Sequence, residues 1–429
     1  MKVRRLWVVS ELFYPEETST GYFLTKIAEG LAGELEVHAI CSRPTYSERG
    51  LEVPWSETHN GVHIHRMRST RFHKDRLLGR VLNAATFSLA ATIFCLLRLR
   101  RGDQVLVVTN PPTAPPLVGL LAKLKGARRF LLLHDVYPEV LIATGIASET
   151  SLSVRLLGLL TAATYRLYDT VIALGRDMAE LAVRRVDGRD DRVVIIPNWG
   201  DVEEIGPIDP VANPFMQAYN PKRRTLIQFS GNIGRTHDVE TVIEAARLLG
   251  ARRELQIQFV GGGGKARLVS EQDDPAGTIK YLPRQPREML GPMLAAANAV
   301  VIAFVDGMLG VSVPSRMYNV MAAATPIIAL ADPASELALT VSEEGCGWIL
   351  RSGDARGLAD LLDYIATPEG KTDALERGRK GRDAATRRFT LPIVLAQFAH
   401  LLGLADSQPM VSADHSRSER PAAERQTTP

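Results

Sequence analysis

The chain has 429 residues, 51 Lys and Arg against 48 Asp and Glu for a net charge of +3, and 45% of it is hydrophobic. That length suits two ordinary domains and that apolar share an α/β protein rather than a disordered chain, while so small a net charge gives no ground for nucleic acid as a partner. Three widely spaced cysteines, Cys41, Cys95 and Cys346, match neither a disulfide framework nor a metal-ligand spacing, which fits a reducing compartment.

Taken in chain order, the basic start runs into apolar Leu6 to Ser10 and then acidic Glu11, so it predicts a first strand rather than a signal peptide. The next turn is long and ends in a Thr20-Gly21 helix entrance, where glycine permits a tight turn or a close approach. Glu36 to Cys41 and Val62 to Met67 read as strands. A basic loop from 66 to 80, bearing Phe72, then leads into the apolar run Val81 to Leu97 and into Arg98-Leu99-Arg100-Arg101. This run is nearly long enough to span a bilayer. It holds Asn83, Thr86, Ser88 and Thr92 and lies between two strands, which predicts instead a crossover helix with Leu77, Val81, Leu82, Ala85, Leu89 and Leu96 inward. Basic residues on both sides suit an anionic lipid surface, and equally a plain solvated loop.

Gln104 to Val108, Phe130 to His134, Thr170 to Leu174 and Val193 to Ile196 continue the alternation of strand and helix that argues for parallel sheets. Polar His134 and Asp135 follow four apolar residues, so they fall at a strand's carboxyl end, where open sheets bind ligands. Asp135 serves equally as a helix cap. A stretch from 199 to 221, rich in Pro, Gly and acidic residues, reads as a linker. The pattern restarts with strands at Thr225 to Ser230, Leu255 to Gly261, Thr278 to Leu282, Ala299 to Ala303, Pro326 to Ala329 and Trp348 to Leu350. Gly231-Asn232 with Gly234-Arg235 form a glycine-bearing turn suited to a diphosphate. Gly261 to Gly264 and Lys265 lack the G-K-[ST] of a phosphate-binding Walker loop and read as a strand-end turn. Further on, Gly310 and Pro314 keep a loop open until Ser315 caps a short helix to Ala323, with Arg316 beside its amino end; this arrangement favours a phosphate. An ordinary cap beside a solvated arginine is the alternative. No Asp-x-Asp pair stands in a turn, since Asp190-Asp191 and Asp273-Asp274 lie in polar loops, so no metal is expected. Thr390 and Pro392 open an amphipathic helix, after which the polar tail lacks the apolar surface to order itself.

The segment Pro314-Ser315-Arg316-Met317-Tyr318-Asn319-Val320-Met321-Ala322-Ala323-Ala324-Thr325-Pro326-Ile327-Ile328-Ala329 resembles the donor-site segment of the retaining family-4 glycosyltransferases, and the similarity runs from Val8 to about Leu402. The resemblance implies two Rossmann-like α/β domains facing a cleft, the GT-B fold. Residues 1–198 would bind acceptor, 199–221 link the halves, 222–388 bind a nucleotide sugar, 389–404 return a helix to the first domain, and 405–429 form a disordered tail. It places His134 against the transferred sugar, with Arg316 and Arg235 as the cations that make up the catalytic set. Gly231, Asn232 and Ser315 fall at the diphosphate, Arg284 at the base, and Thr20, Gly21 and Asp135 on the acceptor side.

The sequence departs from the family's pattern at four places. Asn232 and His237 stand where the family has Arg and Lys, and Val311 and Asn319 where it has two glutamates. Asn319 retains a ribose hydrogen bond, whereas Val311 has none to offer a sugar. The activity implied is metal-independent, cofactor-free, retaining transfer from a nucleotide diphosphate, with UDP the expected nucleotide, to a lipid-linked saccharide of a surface polysaccharide. It would occur in the cytoplasm at the inner face of the plasma membrane. A nucleotide-sugar epimerase on the same fold and a non-catalytic nucleotide- or lipid-binding partner remain alternatives.

Overall fold

The computed structural model describes residues 4–44, 50–70, 72, 77–250, 254–274 and 278–404. The tail expected to be disordered and residues 71 and 73–76 of the basic loop lie outside these. The first sheet contains β1 (Arg5–Val9), β2 (Glu36–Ser42), β3 (Ser56–His59), β4 (Val62–Met67), β5 (Gln104–Val108), β6 (Arg128–Leu132), β7 (Thr170–Ala173) and β8 (Val193–Ile195), in the order β3-β4-β2-β1-β5-β6-β7-β8. All its pairings are parallel except β3 with β4. The second sheet contains β9 (Thr225–Asn232), β10 (Leu255–Gly262), β11 (Ile279–Leu282), β12 (Ala299–Ala303), β13 (Ile327–Leu330) and β14 (Gly347–Leu350), in the order β11-β10-β9-β12-β13-β14 and wholly parallel. Two sheets, parallel but for the β3 edge, with helices between their strands, give the two-domain α/β architecture expected, because strands buried on both faces need the apolar runs the sequence supplies.

β3 is absent from the sequence reading. Its Ser-Glu-Thr-His composition is polar because it is an edge strand, and the signal lay in Asn60-Gly61, whose φ angles of 44° and 83° make the hairpin turn to β4. A second correction concerns the helix Leu77–Arg98. The side turned to the sheet bears Asn83, Phe87, Ser88, Ala91 and Cys95, all buried, whereas Val81, Leu82, Ala85, Leu89 and Leu96, expected inward, are exposed. Two apolar stripes compete on this helix. The smaller residues won because Ser88 Oγ meets Thr113 Oγ1 at 2.7 Å and Asn83 clamps the preceding loop, accepting from Phe72 N at 2.9 Å and donating to Phe72 O at 3.0 Å.

The linker is more ordered than its composition suggests. Asn213 caps a helix Pro214–Tyr219, Gly200 N donates to Phe389 O at 3.0 Å, and Arg382 donates to the carbonyls of Val202, Ile205 and Ala322. The last helix, Leu391–Leu401, packs against the helix Ser19–Leu31, where Leu395 occupies the space left by Gly30, and Gln104 Nε2 donates to Leu402 O at 3.0 Å. This last described helix therefore rests on the first domain.

Candidate active site

The carboxyl ends of both sheets face one another, and loops from each half meet there. Arg316 opens the helix Arg316–Ala322, two residues past Pro314. Its guanidinium turns back beneath β9, donating from Nη1 to Ser230 O at 2.7 Å and from Nη2 to His237 Nε2 at 2.5 Å, over the Phe229 ring at 5.3 Å. Burial pushes its pKa down to about 10, so it stays charged at neutral pH. Among the described residues it has no carboxylate partner. Directly above lies Gly231, where a Cβ would stand 3.5 Å from Arg316 Cζ. Gly231 has φ of 112° and pairs with Gly261, whose own Cβ would fall 1.9 Å from Gly231 O. Both positions demand glycine.

His237 is the residue that sequence reasoning missed, having registered it only as a departure from a lysine. It is buried, stacks on Phe304 at 5.7 Å between centroids, and is held neutral by burial and by the adjacent Arg316 and Lys265. A neutral imidazole can accept the guanidinium's hydrogen bond. Its place three residues past Gly234, just before the Asp238 helix cap, was the available signal. Lys265 donates to His237 O and to Glu240, both at 2.8 Å. Arg235, expected to share the phosphate with Arg316, is exposed on the turn and makes no described contact with it. Asn232, expected in the turn, ends β9 instead, and its carbonyl accepts from Arg316 Nη2 at 3.4 Å.

Ser315 departs from expectation as well. It has helical φ and ψ and no capping bond, and its Oγ instead lies 2.8 Å from Ser19 Oγ of the first domain. The neighbouring loop completes the contact between the halves: Asp135 and Ser312 form an antiparallel bridge, and Val136 N donates to Val311 O at 3.0 Å. Val311, lacking a polar side chain, thus acts through its carbonyl. His134 lies just past β6, its backbone N donating to Thr109 Oγ1 at 3.0 Å. Its Nε2 is buried without a partner, and burial holds its pKa near 4, so the ring is neutral. Burial raises the Asp135 carboxyl, offset in part by a hydrogen bond from Ser312.

The first loop caps its helix two residues earlier than expected. Thr18, not Thr20, accepts from Gly21 N at 3.3 Å, and Thr20 sits half-buried in the first turn. A Cβ on Gly21 would meet Glu16 O at 2.6 Å, so this glycine permits the loop's own fold. Arg284 Nη2 reaches across to Glu17 O at 3.2 Å. Asn319, expected at a ribose, is tied to the linker through its Oδ1, which accepts from Asp201 N at 2.9 Å. The Asp201 carboxylate in turn receives Tyr22 Oη at 2.8 Å and Arg287 at 3.1 Å, which raises the Tyr22 phenol pKa through burial and that carboxylate. On the far side of the cleft Arg176 pairs with Glu336 and Glu343, and Asp177 accepts from Gly310 N at 3.0 Å. Among the described residues, these groups enclose a seam that holds the Arg316 guanidinium without a carboxylate partner and the neutral His134 imidazole with its Nε2 unpartnered. An anion would satisfy the first, and a hydroxyl the second.

Family models match two consecutive parts of the chain, a glycosyl transferase 4-like domain over residues 20–199 and a glycosyl transferases group 1 domain over 214–381. The chain is 31% identical over 402 residues to the candidate glycosyltransferase WbjE of Pseudomonas aeruginosa, covering 92% of this chain and 96% of that one. It is 26% identical to WcaI of Escherichia coli K12, a candidate colanic acid biosynthesis glycosyl transferase, over 76% of this chain and 83% of the other. Among solved structures, Anabaena HepE in complex with UDP and glucose superposes with a TM-score of 0.69 at 15% identity, covering 93% of this chain and 99% of that one. At that identity the likeness speaks to the fold alone.

Proposed function

Because the chain belongs to the GT-B glycosyltransferases that join a 4-like domain to a group 1 domain, we propose that its cleft moves a sugar from a nucleotide diphosphate to a saccharide carried by a lipid. The observation that carries this reading is Arg316: a half-buried cation beneath Gly231, with no carboxylate to neutralise it among the described residues. A diphosphate supplies the missing charge in forked geometry. UDP is the nucleotide favoured, in line with the ligand of HepE. A surface polysaccharide is the product favoured, in line with the description of WcaI.

In the reaction we propose, the acceptor hydroxyl oxygen forms a bond to the sugar's anomeric carbon on the side from which the diphosphate leaves. The bond from that carbon to the phosphate oxygen breaks, the departing oxygen takes the hydroxyl proton, and configuration is retained. Arg316 stabilises the charge that grows on the diphosphate, a task that asks for no divalent ion. His134, neutral at pH 7, is suited to hydrogen-bond a sugar hydroxyl without adding charge. The basic loop at 66–80 would place the enzyme at the inner, cytoplasmic face of the membrane.

The test is isotope transfer from a panel of UDP- and GDP-sugars to membrane extract. Labelled lipid from a UDP-sugar supports the reading. A changed free sugar nucleotide would point to an epimerase, and no conversion with any donor to a binding partner without activity; either outcome overturns it.

A further inference from the structure

We propose that the outer face of the helical layer on the first domain is a membrane-docking surface that seats this domain on a bilayer of anionic lipid. The inference deepens the reading above and rests on it for the lipid-borne acceptor, but it is carried by different residues. Right-handed crossovers from β4 to β5, β5 to β6 and β6 to β7 bring the helices Leu77–Arg98, Ala114–Leu124 and Leu152–Leu167 onto one face of the sheet, side by side. The Ser88–Thr113 contact joins the first two, and Tyr168 Oη, donating to Pro115 O at 2.8 Å, ties the end of the third to the second.

Their amphipathicity is inverted. The first helix buries Asn83 and Ser88 while Leu89 is 58% and Leu97 76% exposed, and the pattern continues with Leu124 at 77% and Leu159 at 71%. Helices facing water turn their leucines inward; a continuous leucine face across three helices is made for an apolar medium. The first helix is long and apolar enough to cross a membrane, yet it links two strands of one sheet and its inner side is sealed on that sheet, so the face lies along the surface of the bilayer.

Charge selects the occupant. The three helices contain no Asp or Glu, while Arg80, Arg98, Lys123 and Arg155 on them are exposed, as are Arg100 and Arg101 just beyond. A basic rim around a leucine face complements anionic headgroups over acyl chains. A second copy of the chain on a twofold axis would oppose arginines to arginines.

The experiment is co-sedimentation of the full chain with phosphatidylcholine vesicles, with and without phosphatidylglycerol. It compares wild type, the triple variant Leu89→Ser, Leu124→Ser, Leu159→Ser, and the double variant Arg98→Glu, Arg101→Glu, alongside thermal melts and calorimetric UDP binding. Wild type is expected on vesicles containing phosphatidylglycerol. The triple variant should bind roughly 100-fold less at an unchanged melting temperature, since the lost side chains are exposed in the free protein. The charge reversal should lose binding chiefly on the anionic vesicles. Vesicle binding that follows this pattern with no UDP binding in any variant upholds the surface and sinks the transferase reading instead. Wild type that ignores phosphatidylglycerol vesicles, a triple variant that binds like wild type, or a wild-type dimer that the triple variant dissolves overturns the proposal.

Discussion

A guanidinium that donates to two carbonyls and a neutral imidazole, packed on Phe229 and unopposed by any carboxylate among the described residues, costs desolvation that its hydrogen bonds only partly offset. Replacing it with an apolar side chain of similar length therefore separates binding from folding. Arg316→Met should leave the melting temperature unchanged or raise it, while UDP affinity measured by calorimetry drops by about 10- to 100-fold. A fall in both together would mean that Arg316 only holds the turn. Arg316 was legible from its place after Pro314-Ser315. Its acceptor His237 was not, because a histidine standing where a lysine is customary reads as a loss until its ring is seen beneath the arginine.

At the scale of elements, β2 and β4 bring His38 and His65 together beside Trp7 and Phe94. His38 Nδ1 lies 3.2 Å from His65 Nε2, and His38 Nε2 lies 3.0 Å from Glu36. Burial first, then His38, Arg98 and His63, lower the His65 pKa from 6.5 to about 4. Between those values the unfolded chain takes up a proton that the folded one refuses, so stability falls as pH drops through the window and stops falling near pH 4. His65→Gln keeps a hydrogen-bonding group without the titration. It should flatten the decline in melting temperature between pH 6.5 and 4, recovering about 1–2 kcal/mol once screening at this half-buried site is allowed for. An unchanged slope would assign the acid sensitivity elsewhere. The strands themselves were legible to within two residues from their apolar runs. Edge strand β3 and the inward side of the helix Leu77–Arg98 were not, since a polar edge lacks the apolar signal and two apolar stripes on one helix leave the choice to its neighbours.

At the scale of the whole molecule, the linker runs close past the helix that carries Arg316. Gly200 packs so closely that a Cβ there would meet Tyr318 O at 2.4 Å, while Asp201 N is held by Asn319 and its carboxylate by Tyr22 and Arg287. Gly200→Ala should therefore push the linker from the helix that carries Arg316. We expect a loss of about 1–3 kcal/mol of stability in thermal melts, together with weaker transfer at saturating donor. An alanine variant with wild-type stability and turnover would show that the linker does not set the helix's position.

Much of this was available without coordinates. The alternation of apolar strands with helical segments determines two parallel-sheet domains, and the run from Pro314 to Ala329 marks the second half as the likeness to glycosyltransferases implied, because both are local patterns set by backbone period and turn chemistry. Tertiary structure decided what depends on residues distant in the chain. It tied Asn319 Oδ1 to the linker, took Ser315 to Ser19 instead of into a cap, left Arg235 apart from Arg316, and turned a leucine face outward. Periodicity specifies that a helix has an apolar side; only the surfaces packed around it select which side is buried and which meets another phase.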